Sequence, residues 1–221
     1  TGMVPALVRH FDTPQLFKIL ETSIPRALTL SLHQIVLLAL LGVASVMASG
    51  SVSVFQFAYN LQSVPLAIIG VSYSVAAFPT LARMFTHGDK LEFVVHVGSA
   101  LRHIFFWSLP VLAIIIVIRA QLVRVILGTG AFDWNDTRLT AAALALFVLS
   151  LWAQAINLLV VRAFYAGGNT KTPLYVTVFS SLLALVLSFG LYVLFVTTPS
   201  FRMGVEVLLR VVDVPGTEVL M

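Results

Sequence analysis

The sequence contains no cysteine, which excludes a disulfide framework and any cysteine-ligated metal or redox centre. It is also short of charge. Asp, Glu, Lys and Arg together make up 10% of the chain, against about 25% in an ordinary water-soluble domain. So few charges cannot cover a surface that faces water. Catalytic patterns are missing as well: there is no HExxH and no GxSxG, and Gly167-Gly168 lacks the lysine and serine that a phosphate loop requires. These absences argue against an enzyme, and no cofactor or metal is expected. No leader pattern precedes the first apolar run, which begins only after Pro25; a chain opening on Thr1 is expected to be a piece of a longer protein.

What is present is apolar surface. Hydrophobic residues make up 59% of the chain and the mean hydropathy is +1.02. The solvent for most of these residues must be lipid. The net charge of +4 and pI near 9.8 do not point to nucleic acid, because the cations stand singly at the ends of apolar runs rather than in a patch.

The runs are long enough to count spans. Residues 27–82 carry no formal charge, too long for one crossing and suited to two, with the small polar residues around Ser49-Gly50 as the turn. The spacing predicts spans at about 27–48, 52–79, 103–119, 138–162 and 173–197. Residues 1–25 read as an amphipathic or juxtamembrane segment, residues 83–102 as a polar connector, and residues 198–221 as an amphipathic loop or tail. The expected fold is therefore all-α and polytopic, with about five transmembrane helices. With the N-terminal segment inside, the cytoplasmic side holds Arg9, Lys18, Arg26, Arg83, Lys90, Arg102, Arg162 and Lys171, and the other side Arg119, Arg124, Arg138, Arg202 and Arg210. That bias favours the orientation.

Polar residues inside the spans are where function would show. In the second span Ser53, Gln56, Asn60, Ser63, Ala67, Gly70 and Ser74 are spaced alternately by three and four, which places them on one face of an α-helix. Two interpretations stay open: a seam where small residues let helices approach, or the wall of a hydrated cavity in which Gln56 and Asn60 hydrogen-bond a polar substrate. Pro65 is expected to kink this helix. In the fourth span Gln154 and Asn157 share a face and could lie opposite. Arg162 and Lys171 flank a turn, where head-group or loop anchoring is the default role. Asp133 and Asp136 are expected to cap the fourth span rather than bind a cation.

Four stretches also carry a resemblance. GAFDWNDTRLTAAAL (130–144), followed by RAFYAGGNTKTP (162–173), resembles the MurJ (MviN) lipid II flippases of the multidrug/oligosaccharidyl-lipid/polysaccharide exporter superfamily. SVSVFQFAYNLQSVPLAIIGVSYSVAAFPTLAR (51–83) resembles that family's eighth transmembrane helix, and PRALTLSLHQI (25–35) the start of its seventh. The resemblance covers about residues 24–197. It implies a two-lobed fold of 14 helices, of which this chain supplies roughly helices 7 to 11. It further implies movement of the undecaprenyl-pyrophosphate-linked peptidoglycan precursor (lipid II) across a bacterial plasma membrane by alternating access. The partners implied are lipid II, membrane lipids and the remainder of the same chain. The substrate-cavity residues would be Ser53, Gln56, Asn60 and Ser63, with Gln154 and Asn157. One departure stands out: the family usually has Ala-Asp-Arg where this chain has Ala58-Tyr59-Asn60, so the mid-membrane arginine is absent from this part. Another exporter of the superfamily, moving polysaccharide lipids or drugs, and a non-transporting membrane scaffold are the alternatives.

Overall fold

The computed structural model describes residues 13–47, 49–128 and 132–209. The expectations for residues 1–12 and 210–221 lie outside these. Among the described residues all regular structure is helical, in the order α1 (Thr13–Val46), α2 (Ser51–Leu66), a π-helical turn (Ala67–Val71), α3 (Ser72–His87), α4 (Lys90–Leu127), α5 (Trp134–Leu149), α6 (Leu151–Ala166), α7 (Lys171–Thr197) and α8 (Pro199–Leu208). Four helices are long and apolar enough to cross a membrane, and α5 with α6 makes a fifth if that bent pair is one span. The chain is an all-α, multi-pass membrane protein.

The helices outrun the apolar windows that announce them. α1 is continuous from Thr13 through Pro25 to Val46, so the described part of the N-terminal segment is one rod with the first span. The polar stretch 83–102 narrows to a two-residue turn. Gly88, at φ +85°, ends α3 with its N–H on the Phe85 carbonyl, while Asp89 N–H reaches back to Met84 O. This left-handed glycine cap stops one helix and lets the next begin at Lys90. The 38 residues of α4 rise about 57 Å, nearly twice the hydrocarbon thickness. Charges at its N-terminal end therefore project past the apolar zone without breaking the helix. Near its other end Arg119 Nη2 donates to the carbonyl of Leu209, the residue that caps α8, at 3.3 Å, which ties the end of α8 to α4.

α5 starts on a reciprocal cap. Asp133 Oδ1 accepts from the Asp136 N–H at 2.8 Å, and Asp136 Oδ2 accepts from the Asp133 N–H at 3.2 Å. Both carboxylates thus satisfy backbone donors at the helix start, the capping role read from the sequence. Between α5 and α6 the axis bends by 42° at Ser150, whose hydroxyl donates to the Phe147 carbonyl at 2.7 Å.

The core lies where α2, the π turn and α3 meet α4 and the α5–α6 pair. One cluster joins Ala58, Val123, Ala141, Leu144 and Val148, and a second joins Ile69, Ile104, Ala155 and Leu159. Alanine is prominent at these contacts: Ala58, Ala141, Ala142, Ala145, Ala155 and Ala163 are all buried. In lipid there is little hydrophobic gain from burying one apolar helix against another, so close approach by small residues supplies the attraction. α1 packs mainly along α7, and Lys171 Nζ meets Glu21 Oε1 at 3.0 Å at their shared end. Elsewhere these two helices bury little: Thr29 and Ala44 in α1 and Pro173 in α7 are buried, while Leu30, Leu38, Phe179 and Phe189 are exposed.

Candidate functional site

The seven-residue polar row of the second span does not stay on one face. Ser53, Gln56, Asn60, Ser63 and Ala67 are exposed, whereas Gly70 and Ser74 are buried. The cause is the π turn at Ala67–Val71. On an uninterrupted α-helix Ser74 would lie about 120° around the axis from Gln62, at 100° per residue. A π turn absorbs one extra residue, which rotates everything after it back by about 100° and brings Ser74 within about 20° of the Gln62 side. Ala58 and Gln62 before the turn, Gly70 within it, and Ser74 and Leu81 after it therefore make one buried seam. The row therefore divides: Gly70 and Ser74 belong to a packed seam, while Ser53, Gln56, Asn60 and Ser63 lie on an exposed polar face.

The π turn begins two residues after Pro65, which has no N–H to donate. Its loosened backbone finds other partners. Ser72 Oγ donates to Ala67 O at 3.2 Å, while Val71 O accepts from Ser74 Oγ at 3.1 Å and from Arg162 Nη1 at 3.3 Å. Arg162 thus holds the transition from π back to α-helix, a role that its place beside a turn in the sequence did not suggest.

On the open face of α2, Ser63 Oγ donates to the Asn60 carbonyl at 2.7 Å. Among the described residues the side-chain amides of Gln56 and Asn60, one turn apart, form no hydrogen bond within the protein and are exposed. Gln154 differs: it is half-buried and its Nε2 donates to Ser150 Oγ at 2.6 Å, so it braces the α5–α6 bend. Asn157 is exposed on the side of α6 away from its buried line of Leu151, Ala155, Leu159 and Ala163. No hydrogen bond joins these α6 residues to the α2 row. Lys171 is exposed and paired with Glu21.

Two features escaped the sequence. Gln62 is fully buried in α2 with neither amide atom hydrogen-bonded; its place four residues after Ala58 was the available signal. Arg26 of α1 and Arg162 of α6 line one cavity of about 260 Å³ with Val75, Phe78 and Pro79. A larger apolar trough of about 630 Å³ runs between α3, α4 and α6, past Phe85, Phe93, Leu101 and Phe164. It does not include the polar row. Among the described residues no cluster of His, Asp or Glu has the makings of a metal site.

Comparison with known proteins adds what geometry cannot. The family model described as "Lipid II flippase MurJ" matches residues 1–200. This chain belongs to the MurJ family. It is 29% identical over 174 residues to a probable lipid II flippase MurJ of Rickettsia prowazekii, covering 79% of this chain and 34% of that protein. A counterpart from Buchnera aphidicola (subspecies Acyrthosiphon pisum) is 31% identical over 174 residues, again 79% of this chain and 34% of the other. The lipid II flippase MurJ of Burkholderia cenocepacia is 24% identical over 180 residues, covering 80% of this chain and 35% of the other. The chain thus spans about a third of the length of these curated MurJ relatives. No solved structure matches.

Proposed function

We propose that the chain is part of the second lobe of a lipid II flippase. The full protein would carry the undecaprenyl-pyrophosphate-linked peptidoglycan precursor across the bacterial inner membrane by alternating access. Family membership supports the substrate class. The structural observation that supports the site is the pair of unpartnered amides, Gln56 and Asn60, on the open face of α2. An amide left against hydrocarbon without a hydrogen bond is costly. A face bearing two of them within one turn suits a wet passage lined also by Ser53 and Ser63, with Asn157 and Gln154 contributing from α6. Such a wall serves a substrate whose sugars, peptide and pyrophosphate need hydrogen bonds while its lipid tail stays in the membrane. Because Asn60 stands where the family usually has arginine, this lobe offers hydrogen bonds at mid-depth, and the remainder of the chain supplies the charge that meets the pyrophosphate.

The test is complementation. In the full-length protein, Asn60→Leu is expected to abolish rescue of a flippase-depleted strain while leaving expression unchanged. Normal growth at normal expression overturns the assignment of this face to the substrate path.

A further inference from the structure

We propose that Arg26 and Arg162 form a phosphate-binding site, separate from the α2 polar row, at the end of the bundle marked by the Glu21–Lys171 bridge. The two guanidinium groups belong to helices distant in sequence yet border one cavity of about 260 Å³, whose remaining lining is Val75, Phe78 and Pro79. Among the described residues neither arginine has a carboxylate partner, and the nearby Glu21 is engaged by Lys171. Two like charges around a partly apolar cavity repel, and an anion between them relieves that repulsion.

Both arginines are already positioned. Arg26 Cζ lies 5.1 Å from the centre of the Tyr165 ring, a cation–π contact that holds the guanidinium beside the cavity without using any of its N–H donors on an oxygen. Arg162 spends one donor, Nη1, on the Val71 carbonyl at 3.3 Å. A guanidinium carries five N–H donors, so most of the fork on each residue remains available. Paired forks match a group with several charged oxygens, which phosphate offers in bidentate geometry.

Along α1, Arg26 lies five residues, about 7.5 Å, beyond exposed Glu21, so the arginine pair and the Glu21–Lys171 bridge share one end of the bundle. The ligand class is thus a phosphate ester or pyrophosphate, carried by a lipid head group or arriving as a soluble anion. The site does not depend on the transport assignment, since binding is measured without turnover.

The test uses the full-length protein. In neutral detergent it is titrated with inorganic pyrophosphate by calorimetry. In phosphatidylcholine nanodiscs with and without phosphatidylglycerol, retained lipids are counted by native mass spectrometry. Wild type is compared with the double variant Arg26→Gln/Arg162→Gln and with Val75→Glu, which puts a carboxylate into the cavity and keeps both arginines. Binding is expected to weaken by about tenfold or more in both variants. A loss of pyrophosphate affinity assigns a soluble or head-group diphosphate; a loss confined to phosphatidylglycerol assigns a lipid phosphate. Val75→Glu guards against misfolding, because it is expected to keep the wild-type melting temperature. Unchanged binding of both probes in either variant, or no binding of either probe to wild type, overturns the proposal.

Discussion

Gly70 approaches Ala155 so closely that a methyl group added to it would lie 3.0 Å from Ala155 Cα and 3.1 Å from its Cβ. Backbone and a side chain with nowhere to move face the glycine, so helix α6 itself would have to retreat. Gly70→Leu is expected to lower stability by about 1–3 kcal/mol, with Gly70→Ala milder. Thermal unfolding of the full-length protein in detergent checks this. A melting temperature unchanged by Gly70→Leu would mean that α6 is not held against the π turn.

Gln62 presents the opposite case. Its amide is fully buried with no hydrogen bond to either polar atom. A buried amide without partners is penalised by about 1–3 kcal/mol, and leucine fills a similar volume. Gln62→Leu is therefore expected to raise the melting temperature by a few degrees. A fall would show that a partner for this amide forms in the complete protein.

At the start of α5, the reciprocal bonds between Asp133 and Asp136 make a local prediction. Asp133→Ala removes one acceptor and should lower stability by about 1 kcal/mol. Asp133→Ser keeps an N-cap acceptor and should restore most of it, measured in the same unfolding assay. If alanine and serine behave alike, the cap contributes nothing in the folded protein.

The absence of cysteine from this chain makes orientation directly measurable. In an otherwise cysteine-free background, Gln56→Cys and Asn60→Cys are expected to react with a water-soluble maleimide in membranes. Ala58→Cys and Ser74→Cys, on the buried seam, are expected to stay unlabelled. Equal silence at all four positions would place the α2 row against lipid or protein and remove the proposed wet wall.

Much of this architecture was legible in the sequence, and the exceptions have definite causes. Apolar runs announced the helices, because in lipid the backbone must satisfy itself and only length and hydropathy decide. Asp133 and Asp136 announced a cap because the spacing is local. Helix ends were harder to see: α4 runs from Lys90 to Leu127, since charge marks where lipid ends and not where hydrogen bonding ends. The polar row was read with an unbroken period, and one extra residue in the π turn moved Gly70 and Ser74 to another side. The approach of Arg26 to Arg162 is a product of packing between distant segments, and no periodicity reports it. Gln154 was read as a cavity candidate from its residue type and the face it shares with Asn157; its bond to Ser150 adds a bracing task that only three dimensions reveal.

The π turn also bears on how relatives of this chain should be aligned. A homologue one residue shorter between Ala67 and Val71 would not simply lack a side chain. Everything downstream to His87 would turn by more than a quarter of a circle, and a different set of residues would meet α6. At this helix a single-position gap is a change of architecture, and an alignment that slides it a few places for a better score would pair residues from opposite walls.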